Sequence, residues 1–485
     1  MTKYTILFVF LAYTIILFII GRWTGQKSSN SSFFTGDKAS PWYVVAYGMI
    51  GASLSGVTFI SIPGTVGIND FSYMMIVFGY LIGYYIIAKV LMPLYYKLNL
   101  TSIYSYLHTR FGIYSYKTGA SFFILSRIIG ASFRMFLVIN VLQIFVFNAM
   151  GIPFWLTAIG FVGLILLYTY QAGIKTIIWT DTLQTTFMLA AVIISIYFIA
   201  NGLNQNIIEL YNNISHEGLT QIMNFHINSK SFWLKQFLSG IFIAIVMTGL
   251  DQDMMQKNLS CRNLKDAQKN IYWLSAALIP VNFLFLSLGG ILYYYAQQQG
   301  IVITGTSDNL FPTIALNHLG VWAGIVFIIG LIAAAYSSAD SALTALTTSF
   351  SVDILGLNRN NKLSVKKQER IRKQVHIGMA IVLVIVISAY QLINDQAIIT
   401  KLFTIAGYTY GPLLGLYTFG LFTHRKTVDK AVPFLAIVSP ILTYYLTIIS
   451  PKILWGYQLG FELLIINGAI MFLGLFFTSK TSAKH

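Results

Sequence analysis

Residues 333–341 read Ala333-Ala334-Ala335-Tyr336-Ser337-Ser338-Ala339-Asp340-Ser341, within an apolar run of about 316–351. The small side chains would let another helix approach closely, and positions 334, 337, 338 and 341 share one helical face. That face offers hydroxyl and carbonyl oxygens, which are the ligands that hard cations prefer. The alternative is a packing seam whose hydroxyls bond back to the helix backbone. The stretch therefore predicts a cation-binding helix or a close helix contact.

The composition places this helix in a membrane. Of 485 residues, 56% are apolar and only 9% are charged, whereas a soluble domain carries about 25% charged residues. Apolar runs of roughly 18 to 25 residues, the length that spans a bilayer, recur along the whole chain. No polar stretch is long enough to fold by itself. We therefore expect an all-α integral membrane protein with a single transmembrane domain over residues 1–485.

Thirteen apolar segments are candidates for membrane spans. They lie at about 4–22, 42–66, 72–96, 118–147, 153–170, 177–201, 233–255, 271–297, 316–351, 374–393, 399–422, 431–450 and 457–478. The first segment could mimic a signal peptide, but it is long for one and no small-residue cleavage site follows. An odd number of spans predicts that the two termini lie on opposite sides of the membrane.

The basic residues predict the orientation. With the N-terminus outside, 23 of the 31 Lys and Arg residues, among them Lys257, fall in inner segments and four in outer ones, as the positive-inside rule requires. The C-terminus is then cytoplasmic, in a bacterial inner (plasma) membrane. The same distribution explains the net charge of +16 better than nucleic-acid binding does. The single cysteine, Cys261, excludes a disulfide framework within the chain and a multi-cysteine metal site.

Two spans carry helix-breaking residues. The span 42–66 contains Gly51, Gly56 and Pro63-Gly64; glycine costs about 1 kcal/mol in a helix, and proline removes a backbone hydrogen bond. The span 233–255 is interrupted less clearly, at Ser239-Gly240 and Thr248-Gly249. Broken helices five spans apart are typical of inverted-repeat transporters. Ordinary glycine packing would explain either helix taken alone.

Charged side chains inside a bilayer are costly and usually mark function. Those within or near the predicted spans are Asp181, Asp251, Asp253, Asp340, Arg127, Arg134, Lys89, Lys401 and Glu462. We expect Lys89 and Lys401 to snorkel toward an interface. Glu462 lies near the end of the span 457–478 and is set aside. The remaining six residues concentrate in the spans 118–147, 177–201, 233–255 and 316–351, which are therefore the candidates for a functional site.

Four motifs, taken together, carry a family resemblance. They are Gly173-Ile174-Lys175-Thr176 with Trp179 to Gln184, Asp251 to Leu259 with Asp266 to Lys269, Ala334 to Ser341, and Gly411-Pro412-Leu413-Leu414-Gly415. In this order and spacing they resemble the sodium/solute symporter family, which includes sodium/glucose, sodium/proline and sodium/sialic acid transporters. The resemblance implies a LeuT-type core of two inverted repeats, about 42–201 and 233–422, with the remaining spans outside it.

The resemblance also implies that sodium is the coupling ion and that no cofactor is needed. Carried over by position, the sodium ligands would be the backbone carbonyls of Gly51, Leu54 and Ala334 and the hydroxyls of Ser337 and Ser338. Some members of the family have a second sodium site. Its residues here would be Asp181, Ser337, Asp340 and Ser341.

Asp340 departs from the hydroxyl that this resemblance leads us to expect. Asp181 and Asp340 could share one site, where sodium would keep both ionised. Without sodium, two like charges close together favour protonation of one of them, so that sodium affinity would depend on pH. The alternative is that Asp340 points away and pairs with a basic residue at the inner mouth.

The solute is expected near the bilayer midplane, between the broken spans. Candidate contacts are Ser53, Ser55, Thr58, Arg134, Asp251, Gln252 and Tyr408. The resemblance implies an arginine in the span 118–147 for a substrate carboxylate, as in the sialic acid branch; Arg134 is the candidate, and Arg127, two turns away, is the alternative. An arginine fork suits a carboxylate, which favours a sugar acid, an amino acid or a monocarboxylate over a neutral sugar. Alternatively, an Arg134–Asp251 pair only braces the bundle.

Several other functions compete with sodium-coupled uptake of such a solute. A proton-coupled symporter of the same fold and a sodium/neutral sugar symporter remain alternatives. A membrane sensor would need a signalling domain, and nothing after residue 478 is long enough to form one. A membrane enzyme is disfavoured, because the sequence shows no nucleophile–base pair and no metal-spaced His/Cys cluster. The expected partners are a small solute, sodium and the lipid bilayer, without nucleic acid.

Overall fold

The structure is a computed structural model, and it describes residues 2–24, 33–34, 36–170, 174–357, 363–393 and 398–480. Gly173 and the side chain of Lys175, at the start of one family motif, lie outside the described residues. All regular secondary structure in the described residues is helical, which confirms the all-α prediction.

The helices are named here in chain order. They are α1 Lys3–Thr24, α2 Trp42–Asn69, α3 Tyr73–Lys97, α4 Ser105–Arg110, α5 Ile113–Met150, α6 Phe154–Thr169, α7 Ile174–Gly202, α8 Ile207–His216, α9 Trp233–Gly249, α10 Gln252–Leu259, α11 Leu264–Gln298, α12 Leu310–Asn317, α13 Gly320–Ile354, α14 Val365–Tyr390, α15 Ile398–Phe422, α16 Val432–Ile453 and α17 Leu463–Thr478.

Each predicted span coincides with one of these helices. Among the described residues, nine helices are long and apolar enough to cross a membrane by themselves, and α9 with α10 forms a further candidate bent by 69°. Three more helices lie at predicted spans: α6 and α17 have 16 residues each, and α15 has 25.

The two broken helices differ in where they break. In α2 the interruption falls at Ser55, whose φ of 58° and ψ of 177° are non-helical. Pro63, which was expected to open this helix, instead lies within its continuous C-terminal part, so that expectation was wrong. Between α9 and α10 the chain turns at Leu250 and Asp251, directly after Thr248-Gly249, one of the two interruptions expected there.

Ser239-Gly240, the other expected interruption, lies inside continuous helix. The glycine has a packing role there. A Cβ atom at Gly240 would lie 2.1 Å from the carbonyl oxygen of Ile76, so its absence lets α9 and α3 approach backbone to backbone. Small residues at a helix interface commonly serve this purpose in membranes.

Helix α2 lies at the centre of the bundle. It packs against α7, α11 and α13, and 89% of its most apolar stretch is buried inside the protein, compared with 22% for α16. A peripheral helix such as α16 can leave apolar side chains outside because lipid tails solvate them. The broken helix is therefore enclosed by protein, which is where unpaired backbone groups are tolerated.

Candidate functional site

A cavity lies beside the break in α2, among α2, α3, α5, α9, α11 and α15. Its polar lining consists of Ser53, Ser55, Thr58, Tyr73, Tyr80, Tyr84, Arg127, Arg134, Thr248 and Asn282. Apolar side chains such as Val57, Met247 and Leu402 complete the wall. A mostly apolar wall with a few convergent polar groups is the usual character of a small-molecule site.

Four of the seven predicted substrate contacts line this cavity: Ser53, Ser55, Thr58 and Arg134. Gln252 does not, because its side chain accepts from the amide of Ile103 and donates to the carbonyl of Thr101, both at 3.0 Å. The amide of Gln252 therefore ties α10 to the loop before α4.

The structure also places Tyr408 away from the cavity lining. Its hydroxyl donates to Thr447 Oγ1 at 3.2 Å, so the side chain bridges α15 and α16. Tyr410, two residues along α15, points instead into the polar cluster beneath the cavity.

Asp251 takes part in that cluster rather than in the cavity wall. Its Oδ2 lies 3.6 Å from Arg127 and accepts from the Tyr410 hydroxyl at 2.5 Å, while Arg127 also contacts Asp253. Its Oδ1 accepts from the amide of Asp253 at 2.9 Å and caps the start of α10. Asp251 thus pairs with Arg127, and the predicted alternative of a bracing Arg134–Asp251 pair is not the arrangement observed.

Arg134 lies seven residues after Arg127 on α5 and, among the described residues, has no acidic partner. Its side chain lines the cavity, the residue is 8% exposed, and Nε has no hydrogen-bond partner among the residues that the structure describes. In the part of the chain that the structure describes, no Asp or Glu oxygen lies within 4.0 Å of its guanidinium. Burying a charge is costly unless it is paired, so this cation is suited to an anionic ligand.

Two tyrosines hold the chain where α9 ends. The Tyr95 hydroxyl donates to the carbonyl of Gly249 at 2.8 Å, and the Tyr104 hydroxyl donates to that of Leu250 at 2.9 Å. A broken helix leaves carbonyls without intrahelical donors, and these hydroxyls satisfy two of them. The break beside the cavity is therefore a stable, built feature.

Sequence reasoning missed three tyrosines in the cavity wall. Tyr73, Tyr80 and Tyr84 line it from α3, and the hydroxyls of Tyr73 and Tyr80 lie 3.2 Å apart. Their spacing of seven and four residues places them on one helical face. That regular stripe of hydroxyls within an apolar span is the signal that could have revealed them.

Helices α2 and α13, which carry the predicted sodium residues, pack against each other. Ser337 and Ser338 are fully buried and face protein rather than lipid. The Ser338 hydroxyl donates to the carbonyl of Ala334 at 3.1 Å, the back-bond of the packing-seam alternative, which still leaves oxygen lone pairs on both groups. On the other side of α2, the amide of Gly51 donates to Thr185 Oγ1 at 3.1 Å.

The residues expected at a second sodium site have partners of their own. Lys257 Nζ donates to Asp181 Oδ2 at 2.6 Å, and the Ser337 hydroxyl donates to Asp181 Oδ1 at 2.7 Å. Asp340 accepts from the Tyr168 hydroxyl and from the amide of Ser341, so its partner is a tyrosine and not the basic residue that we considered. Lys257, assigned to an inner loop from the sequence, is 1% exposed within the bundle.

A wider vestibule lies beyond the cavity, at the end of the bundle where α2 ends and α15 begins. It is lined by residues that include Thr65, Lys230, Thr306, Thr400 and Phe461. Phe403 lines the cavity, and its ring packs 6.4 Å from that of Tyr73 and 5.0 Å from that of Phe461, measured between centroids. An aromatic stack therefore separates the two spaces.

Comparison with solved structures shows which class of membrane protein has this architecture. A substrate-bound, outward-open Na⁺-coupled sialic acid symporter matches with a TM-score of 0.83 at 19% identity, over 99% of both chains. A nucleobase-cation-symport-1 family transporter in a closed conformation matches with a TM-score of 0.55 at 14% identity, over 92% of this chain and 94% of that one. The fold is that of a LeuT-type secondary transporter, as the family resemblance implied.

The sequence comparisons then identify the family. The profile of the sodium:solute symporter family matches residues 33–433, and the chain belongs to this family. The sodium/sialic acid symporter of Aliivibrio fischeri is 24% identical over 86% of this chain and 82% of its own length. That of Proteus mirabilis is 23% identical over 89% and 86%, and the mouse sodium-coupled monocarboxylate transporter 1 is 24% identical over 82% and 65%.

Family membership confirms several predictions made from the residues. The protein is a sodium-coupled symporter, and therefore a transporter rather than an enzyme. Its partners are a small solute and the sodium ion, which is the coupling ion. It is a multi-pass protein of the inner membrane.

Proposed function

We propose that the protein carries a carboxylate-bearing solute into the cell together with sodium, by alternating access. The observation that carries this proposal is Arg134, a buried cation in the cavity wall without an acidic partner among the described residues. A guanidinium fork matches the geometry of a carboxylate with two parallel hydrogen bonds. The solute classes that fit are sugar acids, amino acids and monocarboxylates.

Arg127 is less suited to this role, although it also lines the cavity. It already contacts Asp251 and Asp253, so two carboxylates already compensate its positive charge. The hydroxyls of Ser55, Thr58 and Tyr80 surround the same space and can bind hydroxyl or amide groups of the solute. These hydroxyls would determine which carboxylate-bearing solute binds, while Arg134 would select for the carboxylate itself.

The relatives support an anionic solute. The names of those described above refer to sialic acid and to monocarboxylates, and both kinds of compound bear a carboxylate. A sodium/iodide cotransporter of Homo sapiens, 23% identical over 83% of this chain and 63% of its own length, also takes an anion by its name. A built-in cation at the binding site is one physical means by which such proteins can select anions.

For sodium we propose the ligands that the family resemblance implies: the carbonyls of Gly51, Leu54 and Ala334 with the hydroxyls of Ser337 and Ser338. The break at Ser55 supports this assignment, because it interrupts the hydrogen-bonding pattern of the preceding turn and frees carbonyl oxygens. Sodium bound there would hold α2 against α13 and would stiffen the adjacent cavity wall. Solute and sodium would then increase each other's affinity by the same factor.

We propose inverted repeats of about 42–201 and 233–422, since the broken helices α2 and α9–α10 stand at the start of each. The distribution of basic residues supports an outer N-terminus and a cytoplasmic C-terminus. In that orientation the vestibule opens outward, and the stack of Tyr73 and Phe403 is the outer gate. The inward sodium gradient and a membrane potential worth about 2.3 kcal/mol per charge per 100 mV would drive uptake.

Uptake into proteoliposomes tests the proposed solute class. A panel of radiolabelled sialic acid, pyruvate, proline and glucose should show sodium-dependent uptake of a carboxylate and none of glucose. Competition by the free acid but not by its neutral amide would locate the recognition at the carboxylate. Uptake of glucose alone would overturn the proposal in favour of the neutral-sugar alternative, and uptake driven by a proton gradient without sodium would favour proton coupling.

Variants of Arg134 test the residue itself. Arg134→Lys keeps the charge but loses the fork, so the concentration for half-maximal uptake should rise about tenfold, equivalent to roughly 1.4 kcal/mol. Arg134→Gln should abolish selection of the acid over its amide. Asn282→Ala removes a different polar group from the same cavity and is the matched control, which should keep that selection. Unchanged acid-over-amide selectivity in Arg134→Gln would contradict the role.

A further inference from the structure

The carboxylate of Asp181 is engaged on both oxygens. Its Oδ2 accepts from Lys257 Nζ at 2.6 Å, and its Oδ1 accepts from the Ser337 hydroxyl at 2.7 Å. Asp181 and Lys257 have side chains that are 0% and 1% exposed. The three groups come from α7, α10 and α13, so an ammonium ion fixed to the protein joins three helices at one buried point.

We propose that this ammonium group occupies the place of a second sodium ion, so that the protein binds one sodium ion per transport cycle. This inference rests on the sodium site proposed above and adds the number of sodium ions that the protein binds per cycle. Lys257 is covalently held on α10 and cannot be released on the other side of the membrane. It therefore neutralises Asp181 without adding a transported charge.

The geometry supports this replacement. An ammonium group is a compact point charge with three donors, and a sodium ion likewise approaches carboxylate and hydroxyl oxygens directly. At 2.6 Å from Oδ2, Nζ occupies a position from which a second cation would have to displace it to bind that oxygen in the same direction. Ser337 donates its one hydrogen to Oδ1 and keeps its oxygen lone pairs, so it can still serve as a ligand of the first sodium ion.

The charges lead to the same count. Asp181, Asp340 and Lys257 are all at most 1% exposed and interact electrostatically. With both carboxylates ionised, their formal charges are two negative and one positive. One sodium ion brings this group to neutrality, whereas a second would leave an excess positive charge in a buried site. Uncompensated buried charge is strongly unfavourable, so the group has a place for one ion.

Sodium binding can be counted without knowing the solute. Radioactive sodium binding to the full-length purified protein, measured by equilibrium dialysis in choline chloride, should give one ion per wild-type chain. Two ions per chain would overturn the inference while leaving the proposed sodium site intact. No saturable binding at all would overturn both, so the two failures are distinguishable.

Removing the ammonium group tests its role directly. Lys257→Met keeps the length and the apolar stem of the side chain but leaves the Asp181 carboxylate open, so a second sodium ion should bind. The double variant Asp181→Asn/Lys257→Met removes both charges and should return to one ion. Lys257→Met that still binds one ion with unchanged affinity would overturn the inference. If that variant is unstable, the wild-type count alone decides the matter.

Discussion

The backbone amide of Ile398, at the start of α15, donates a hydrogen bond of 2.9 Å to Asp308 Oδ2. Asp308 lies in the connection between α11 and α12 and is 6% exposed. Neighbouring residues of both elements, Ser307 and Thr400, line the vestibule. The hydrogen bond therefore joins a loop and a helix end beside the outer gate that we propose.

Asp308→Asn is expected to remove a pH dependence of stability. Burial raises the pKa of Asp308 from 3.8 to about 6, so the folded protein holds the proton more tightly than the unfolded chain does. The contribution of Asp308 to the stability of the wild type should therefore be largest below about pH 4 and should be lost as the pH rises through about 6. A shift of this size corresponds to at most roughly 3 kcal/mol.

Thermal unfolding in detergent across that pH range measures this difference. The amide introduced by Asp308→Asn keeps an oxygen for the Ile398 amide but cannot ionise, so the melting temperature of the variant should change less with pH. Asp37→Asn, at an exposed carboxylate, is the control and should follow the wild type. Parallel pH profiles for wild type and Asp308→Asn would contradict the prediction.

Lys257→Met should destabilise the protein in sodium-free buffer. It leaves the Asp181 carboxylate buried without its ammonium partner, and breaking a buried pair from one side typically costs about 3 to 5 kcal/mol. Asp181→Asn/Lys257→Met removes both charges and should recover most of the loss. Melting temperatures in choline chloride measure the effect, and equal loss in the single and double variants would show that packing rather than charge is responsible.

Ser338→Ala should weaken sodium dependence far more than stability. Among the described residues, the hydroxyl makes only a back-bond to Ala334 within α13, so its loss costs little in folding. Loss of one sodium ligand should raise the half-saturating sodium concentration about tenfold, or roughly 1.4 kcal/mol. Thr443→Val on α16 removes the same kind of back-bond and should leave sodium dependence unchanged. If the sodium dependence of Ser338→Ala matched that of the wild type, Ser338 would not be a sodium ligand.

Asp340→Ser should make sodium dependence less sensitive to pH. In the wild type, Lys257 compensates the charge of Asp181, so acid should protonate Asp340, and loss of this negative charge on the helix that carries Ser337 and Ser338 should weaken sodium binding. Tyr168→Phe removes the hydrogen bond to Asp340 but keeps the carboxylate, and it should retain a pH-dependent affinity. Sodium titrations at acidic and alkaline pH compare the three proteins. A pH profile of Asp340→Ser that matches the wild type would refute the idea.

Gly240→Ala should destabilise the bundle, because the added Cβ would lie 2.1 Å from the Ile76 carbonyl oxygen and force α9 away from α3. At Gly378 of α14, no described atom outside the adjoining helix backbone lies within 4 Å of the corresponding position. Gly378→Ala should therefore gain up to about 1 kcal/mol from helix propensity. Melting temperatures should move in opposite directions for the two variants; a shift in the same direction would contradict this account.

Part of the cavity wall was predicted from local sequence, because it contains polar residues that are conspicuous in an apolar span. Arg134, Ser55 and Thr58 were predicted and lie in the cavity wall. Gln252 and Tyr408 were predicted on the same grounds, yet they bond to a loop and to a neighbouring helix. A polar side chain on a transmembrane helix can point toward several neighbouring elements, and sequence spacing alone does not determine which of them it contacts.

The assignment of Lys257 shows a second limit. In sequence it lies among other basic residues after an apolar run, which predicted an inner loop. The chain instead turns by 69° between α9 and α10 and carries Lys257 back into the bundle to meet Asp181. Two residues 76 positions apart become partners only through the packing of three helices.

By itself the sequence determined that this is a helical membrane protein with two interrupted spans, because the hydropathy of a segment and its glycine content are local properties. It also singled out Arg134 and the serines of α13, since polar groups are costly in a bilayer wherever they face. The tertiary structure decided which of these groups have partners. Arg127 contacts two aspartates, whereas Arg134 contacts no acidic side chain among the described residues. Charge pairing depends on distances between helices, which the sequence of a single segment does not encode.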